Sequence, residues 1–226
     1  MKPVVLILGA GPNIGHHVAR AFAANGYKVA PTSRRPPTED NSTTNQIHIQ
    51  SDLSDLHSVA GVFARVKQSL GIPSVVIYNA AAATSNEDKN PLSLPLADFT
   101  RDLNINTTSA FVAAQEATLA FAELPDSTSR TYIYTGNVLN TTTIPSLLSL
   151  GVGKSATAHI IQSAAAAYSD RGFKFYYTDE RKPDGAPAYF DVDGEAHAKF
   201  YLKLAGGKSQ GPWLQTFVKG VGYKSF

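Results

Sequence analysis

The chain has no cysteine, one methionine and one tryptophan among its 226 residues. Without a thiol there is no thiolate nucleophile, no disulfide framework and no Cys-based zinc site. The six histidines are scattered along the chain, so no metal centre is expected. Charge is sparse as well. Charged residues make up 17% of the chain and the net charge is +2, too little to create the field that nucleic-acid binding needs. No apolar run approaches the roughly 20 residues that span a bilayer. The Met1–Leu8 start has no signal-peptide pattern, because it runs straight into a strand and turn. The expectation is a cytosolic protein acting on a small molecule, with no membrane and no nucleic-acid partner.

The 43% apolar fraction suits one globular domain over residues 1–226. Val4-Val5-Leu6-Ile7-Leu8 is a β-branched-rich run ending at Gly9, the pattern of a strand buried on both faces. Helical spacing follows from His16 to Asn25, and Gly26 ends it. Further strands are expected at Tyr27–Thr32 (with Pro31 awkward near its end), Gln46–Gln50, Pro73–Tyr78, Arg130–Tyr134, Phe173–Tyr177 and Leu214–Val218. Helices are expected at 55–70 (capped by Ser54), 97–124, 152–171 and 195–204, and Pro36 to Asn45 reads as a loop. Such alternation predicts parallel βαβ units with right-handed crossovers. The fold class is therefore α/β, a Rossmann-like doubly wound, mostly parallel seven-stranded sheet with helices on both faces. From 179 to 226 the pattern loosens, which predicts an irregular cap over the substrate cleft.

The first β-α turn carries the clearest chemical signal. Gly9-Ala10-Gly11-Pro12-Asn13-Ile14-Gly15 lies between a buried strand and an amphipathic helix. Gly9 suits a tight turn, Gly11 would let the main chain approach a pyrophosphate, and Gly15 would permit close helix–strand packing. The free N–H groups of the helix start then face the anion. At the end of the second strand stand Thr32-Ser33-Arg34-Arg35, with no acid until Glu39. An acid there would suit the ribose hydroxyls of NAD, whereas arginine and serine suit the 2′-phosphate of NADP. The expected cofactor is NADP(H), held by Gly9, Gly11, Asn13, Ile14, Gly15, Ser33, Arg34 and Arg35.

From about residue 4 to 178 the chain resembles the short-chain dehydrogenase/reductase family. Its Thr-Gly-x-x-x-Gly-Ile-Gly motif is similar to Leu8 through Gly15, with Asn13 in place of the middle glycine. Ser51-Asp52-Leu53 resembles the pair that contacts adenine, and Asn79-Ala80-Ala81 resembles the Asn-Ala-Gly motif with its glycine lost. The resemblance places Asp52, Leu53, Asn79, Ala80 and Ala81 beside the cofactor. Asn106 falls where the family has the asparagine that completes its active site. Lys154-Ser155-Ala156 matches the Ser-Lys-Ala-Ala stretch, which makes Lys154 the family's lysine. The family's chemistry also uses a tyrosine four residues before that lysine and a serine about 13 before the tyrosine. Here those positions hold Leu150 and Asn137.

The resemblance thus implies an NADP(H) oxidoreductase whose proton donor is replaced. Asn137 would donate an amide hydrogen bond to a carbonyl. Lys154 would hold the nicotinamide ribose, or act as an acid if burial lowered its pKa. Glu180-Arg181 stands where the family has Pro-Gly, and Tyr177 or Glu180 would then take over as acid. The Ala-rich stretch around Lys154 suits helix pairing between subunits, so a homodimer or homotetramer is expected. The alternatives are a non-redox enzyme on the same fold, such as a cyclase or isomerase, and an inactive protein that binds or senses NADP(H). In all of these the metal content is none.

Overall fold

The computed structural model describes residues 2–35 and 43–226. The loop expected at 36–45 therefore lies mostly outside the described residues, as does Glu39. Strands β1 (Val4–Leu8), β2 (Lys28–Ser33), β3 (Ile49–Gln50), β4 (Val75–Tyr78), β5 (Arg130–Thr135), β6 (Phe173–Arg181), β7 (Leu214–Val218) and β8 (Gly222–Tyr223) form one sheet in the order β3-β2-β1-β4-β5-β6-β7-β8. All neighbours are parallel except β7 and β8. The sheet has eight strands where seven were expected. The extra one is a two-residue hairpin strand, too short to leave an alternation pattern in the sequence.

Strand β1 shows how the sheet is covered. Val4, Leu6 and Leu8 pack on one face with α2 (Leu56–Ser69), α4 (Ser109–Ala122) and α5 (Leu148–Tyr168). Val5 and Ile7 pack on the other with α1 (Ile14–Ala24) and α6 (Gly194–Gly206). Both faces are dry, which is why the strand reads as a continuous apolar run. A further helix, α3 (Leu96–Leu103), runs into α4 through a π-helical turn at Asn104–Thr108.

Several boundaries move for physical reasons. The third strand shrinks from 46–50 to Ile49–Gln50. Val29 and Ser33 bond outward toward Asn45, Ile47 and Ser51, and Pro31 stands midway between them with no N–H to donate. Helix α2 is capped by Asp55, whose Oδ1 accepts from the His57 N–H at 3.0 Å. Ser54, the expected cap, instead donates its hydroxyl to Asp52 at 2.8 Å. Strand β6 continues through Asp179, Glu180 and Arg181, which were expected in a loop, because β7 extends the ladder beside them. Much of 179–226 therefore builds the sheet edge and α6, and the stretches between and after those elements, 182–193, 207–213, 219–221 and 224–226, are mostly irregular. Among the described residues no helix is long and apolar enough to cross a membrane.

Candidate active site

The sheet order reverses at β1, which has β2 on one side and β4 on the other. A crevice opens at that point beyond the carboxyl ends of the strands. The glycine turn lines it, and its three glycines do different things. Gly9 has φ +96°, and a Cβ there would lie 2.5 Å from the Ala80 backbone nitrogen. A Cβ on Gly15 would lie 2.5 Å from the Ala10 Cα. A Cβ on Gly11 would meet nothing within 4 Å. Two glycines close the turn against the protein, and the third faces open space where a ligand can approach the main chain.

Two cavities meet at this glycine, one of about 610 Å³ and one of about 420 Å³, and both are lined by Gly11, Asn79 and Ala81. The first runs past Ser33, Arg34, Asp52 and Leu53. Asp52 is exposed, and the Ser54 N–H and hydroxyl hold its carboxyl below the ordinary range. Asn79 Nδ2 donates to the Gly9 carbonyl at 2.8 Å, which locks the β4 end onto the turn. Arg35 lies apart from Arg34, on a neighbouring depression of about 620 Å³ with His16, Arg20 and His48. The Ser33 hydroxyl donates to the Arg35 carbonyl at 2.6 Å and contacts His48 Nε2 at 2.7 Å.

The second cavity ends at Lys154, with Asn137, Leu150, Asp179, Glu180 and His197 in its lining. Lys154 is 2% exposed. Its ammonium donates to the Thr135 carbonyl at 2.8 Å and to the Tyr134 hydroxyl at 3.2 Å. Burial pulls its pKa down to about 7, and the charge of Asp179 partly opposes that fall. Asp179 is also 2% exposed, and Arg181 Nε donates to its Oδ2 at 2.6 Å. Burial pushes its pKa up to about 6 against the pull of Arg181 and then Lys154. Glu180 accepts from the Asp193 N–H at 2.8 Å and lies 3.3 Å from His197. Burial holds His197 down at about 4, so that contact carries no histidine charge near neutrality, and His197 Nδ1 is hydrogen-bonded to the Asp193 carbonyl at 2.9 Å instead.

A family model described as enoyl-(acyl carrier protein) reductase matches residues 9–176. A curated relative, the short chain dehydrogenase/reductase dmxR12 of Cryptosporiopsis sp. (strain 8999), is 52% identical over 236 aligned positions. That alignment covers 100% of this chain and 95% of the relative. The chain belongs to the short-chain dehydrogenase/reductase family. It is an oxidoreductase of that type. The fold agrees with solved members. The NADPH-dependent 3-quinuclidinone reductase of Rhodotorula rubra superposes with a TM-score of 0.76 at 24% identity, covering 91% of this chain and 85% of that one. ElxO with NADP bound gives 0.79 at 19% identity, covering 97% and 98%.

Set against this dehydrogenase/reductase frame, the expected site residues divide. Gly9, Gly11, Asn79, Ala80, Ala81, Ser33, Arg34, Asp52 and Leu53 do border the first cavity, and Gly11, Asn13, Ile14, Asn137, Glu180 and Lys154 border the second. Gly15 and Arg35 border only the neighbouring depression, and the expected arginine pair is split between two surfaces.

Four expected roles change. Asn13 spends its side chain elsewhere, donating to the Val192 carbonyl at 2.9 Å and accepting from the Gly194 N–H at 3.0 Å. It clasps the C-terminal segment to the turn. Asn106 is wholly buried and borders neither cavity. Its amide brackets Ala82, donating to the carbonyl at 2.7 Å and accepting from the N–H at 3.0 Å. Its own carbonyl accepts from Tyr134 and Thr157, so it positions the tyrosine that touches Lys154. Tyr177 is also excluded from the cleft. It packs beside Tyr134, the two rings 5.5 Å apart, and its hydroxyl donates to the Asn137 carbonyl at 2.8 Å. Glu180 reaches the cleft, but its Oε2 is taken by the start of α6. Asp179 was missed. The run Thr178-Asp179-Glu180 looks like a polar loop until the ladder with β7 shows which side chains face inward.

Proposed function

We propose that this enzyme is an NADPH-dependent reductase of a carbonyl, imine or activated double bond, working with a non-standard set of proton-handling groups. The observation that carries the reading is the groove itself. It runs from Arg34 past the open face of Gly11 to a buried lysine, so one elongated ligand can touch all three. NADPH, lying along it, would supply a hydride. Arg34 and the Ser33 region would take the 2′-phosphate, since arginine pairs bidentately with phosphate. The basic surroundings of Arg35, with Arg20 and His16 nearby, support the same choice, as does the NADP bound to ElxO. Gly11 and the start of α1 would receive the pyrophosphate.

At the other end, Lys154 keeps one N–H free after its bonds to Tyr134 and Thr135. A substrate oxygen placed there would receive it, together with the Asn137 amide, and developing negative charge would be stabilised in a mostly apolar enclosure. Leu150, facing the cleft where the family motif has tyrosine, supplies wall rather than proton. The exposed apolar side chains Phe111, Leu119 and Val152 on α4 and α5 support a homo-oligomer formed through this face, which light scattering of the purified protein would test.

Cofactor choice is tested by titrating NADPH and NADH against protein fluorescence. Wild type should bind NADPH more tightly, and Arg34→Ala should weaken NADPH by roughly 10- to 100-fold, the worth of a charge-assisted hydrogen bond, while NADH is unchanged. Equal affinity for the two cofactors in wild type would remove NADP from the proposal. Turnover is tested by following cofactor oxidation with carbonyl, imine and enone probes. Leu150→Tyr sharpens that test. Carbonyl reduction that appears only in this variant would show that the natural site has abandoned carbonyl chemistry.

A further inference from the structure

We propose that Asp179 is the general acid–base residue of this site, standing in for the tyrosine hydroxyl that position 150 cannot supply. The inference rests on the reductase reading. It follows from which polar atoms at the lysine end of the cleft are left without a partner. Lys154 has two donors committed, to Tyr134 and Thr135. Glu180 holds the N–H of Asp193, and His197 is committed through Nδ1 to the Asp193 carbonyl at 2.9 Å. The Tyr177 hydroxyl is turned away toward Asn137. Tyr189 sits at the rim, 60% exposed. Glu180 Oε1 and His197 Nε2 also make no hydrogen bond among the described residues, but of these groups Asp179 is the one whose charge acts on Lys154. Its Oδ2 is fixed by Arg181, while its Oδ1 makes no hydrogen bond among the described residues and is not enclosed by protein either. A carboxylate whose side chain is only 3% exposed thus presents one free oxygen to the cavity that also holds the free N–H of Lys154.

A buried carboxyl with a single ionic partner is costly to charge, and it holds its proton to about pH 6. The charged and titratable groups whose fields reach it are Lys154 from α5, Tyr177, Glu180 and Arg181 on β6, and Tyr201 from α6. Of these, Arg181 and then Lys154 favour its ionised form, and desolvation outweighs them. In the reducing direction the hydride adds to the carbonyl carbon and the C=O π pair moves to oxygen, held by Lys154. The Asp179 O–H bond then breaks, its proton forms the new O–H of the alcohol, and the carboxylate is reprotonated from water at the cleft mouth. Two electrons arrive with the hydride and one proton comes from Asp179, so the step balances.

The test is Asp179→Asn, which keeps an acceptor for Arg181, with Asp179→Glu as a second variant that restores a proton. Three measurements are made on each: NADPH affinity by fluorescence, the pH profile of kcat with phenanthrenequinone as probe carbonyl, and infrared pH-difference spectra of the cofactor-free protein. The expected result is unchanged NADPH affinity, a loss of about 10²–10⁴ in kcat for Asp179→Asn, and partial recovery in Asp179→Glu. Wild-type kcat should fall as pH rises through about 6, and that limb should vanish in Asp179→Asn. The infrared spectra should show a carboxyl losing its proton near that pH in wild type and not in Asp179→Asn. Asp179→Asn turning over within threefold of wild type, or a wild-type infrared titration with no Asp179-dependent band near pH 6, overturns the proposal. So does a rate lost in Tyr189→Phe but kept in Asp179→Asn, which would move the donor to the rim. Failure of wild type to bind NADPH overturns the reductase reading itself and is read separately.

Discussion

Lys154→Met is expected to abolish most of the reductase activity while making the protein more stable. On the activity side, the variant removes the cation that holds the substrate oxygen, and loss of one such donor costs about 10²–10³ in kcat. On the stability side, the ammonium is almost fully buried and its own acid partner is absent, since Asp179 pairs with Arg181. The direction with pH follows from linkage. The folded-state pKa of Lys154 is depressed from 10.5 to about 7, so unfolding takes up a proton between those values. The stability associated with neutral lysine is complete above 10.5 and is lost as pH falls through about 7. Replacing the lysine by a similarly long apolar chain removes that penalty, worth about 1–4 kcal/mol by analogy with other buried charges. Thermal unfolding should show Lys154→Met above wild type at pH 6, with the gap narrowing as pH approaches 10. A Tm below wild type at pH 6 would mean that the bonds to Tyr134 and Thr135 outweigh the desolvation.

Gly136→Ala is expected to be strongly destabilising although it adds a single methyl. A Cβ at that position would lie 2.0 and 2.2 Å from two ring carbons of Tyr177. The ring cannot retreat. It is 0% exposed, lies between Tyr134 and Trp213 at centroid distances of 5.5 and 6.5 Å, and is pinned by its hydroxyl to Asn137. Overpacking of this kind costs about 3 kcal/mol, a fall of roughly 6–12 °C in Tm for a domain of this size. Unfolding of Gly136→Ala, Tyr177→Ala and the double variant forms a cycle that isolates the clash. The double variant should be no worse than Tyr177→Ala alone. Strict additivity would show that the methyl is accommodated elsewhere.

These two positions also show where sequence reading succeeds and where it stops. Strand β1 and the glycine turn were legible because their signals are local: a continuous apolar run means burial on two faces, Gly9 has the positive φ of a tight turn, and Gly15 is demanded by contact with the nearby Ala10. Lys154 was found through the motif around it. Gly136 carried no signal, since its constraint comes from a tyrosine 41 positions further on (177 − 136). Asp179 was hidden for a related reason. Strand alternation alone does not say which of Asp179 and Glu180 faces the cleft with a free oxygen, because that depends on Arg181 and on the start of α6. Asn13 and Asn106 were assigned chemistry for their type and position, but an asparagine amide serves main-chain groups equally well. Here the groups they serve come from distant parts of the chain.

The clasp made by Asn13 has a consequence for biosynthesis. Its partner, the Gly194 N–H, lies 181 residues away in sequence, and the packing of α1 against α6 is just as non-local. A ribosome adding about 5–20 residues per second needs roughly 10–40 s to cover that distance. During that time Val18 and Phe22 of α1 face solvent without the helix that later covers them. The amino-terminal βαβ segment therefore emerges early but acquires its outer layer last. A newly made chain should stay sensitive to protease near α1 until α6 has left the ribosomal tunnel, and it is over that interval that a chaperone would find it.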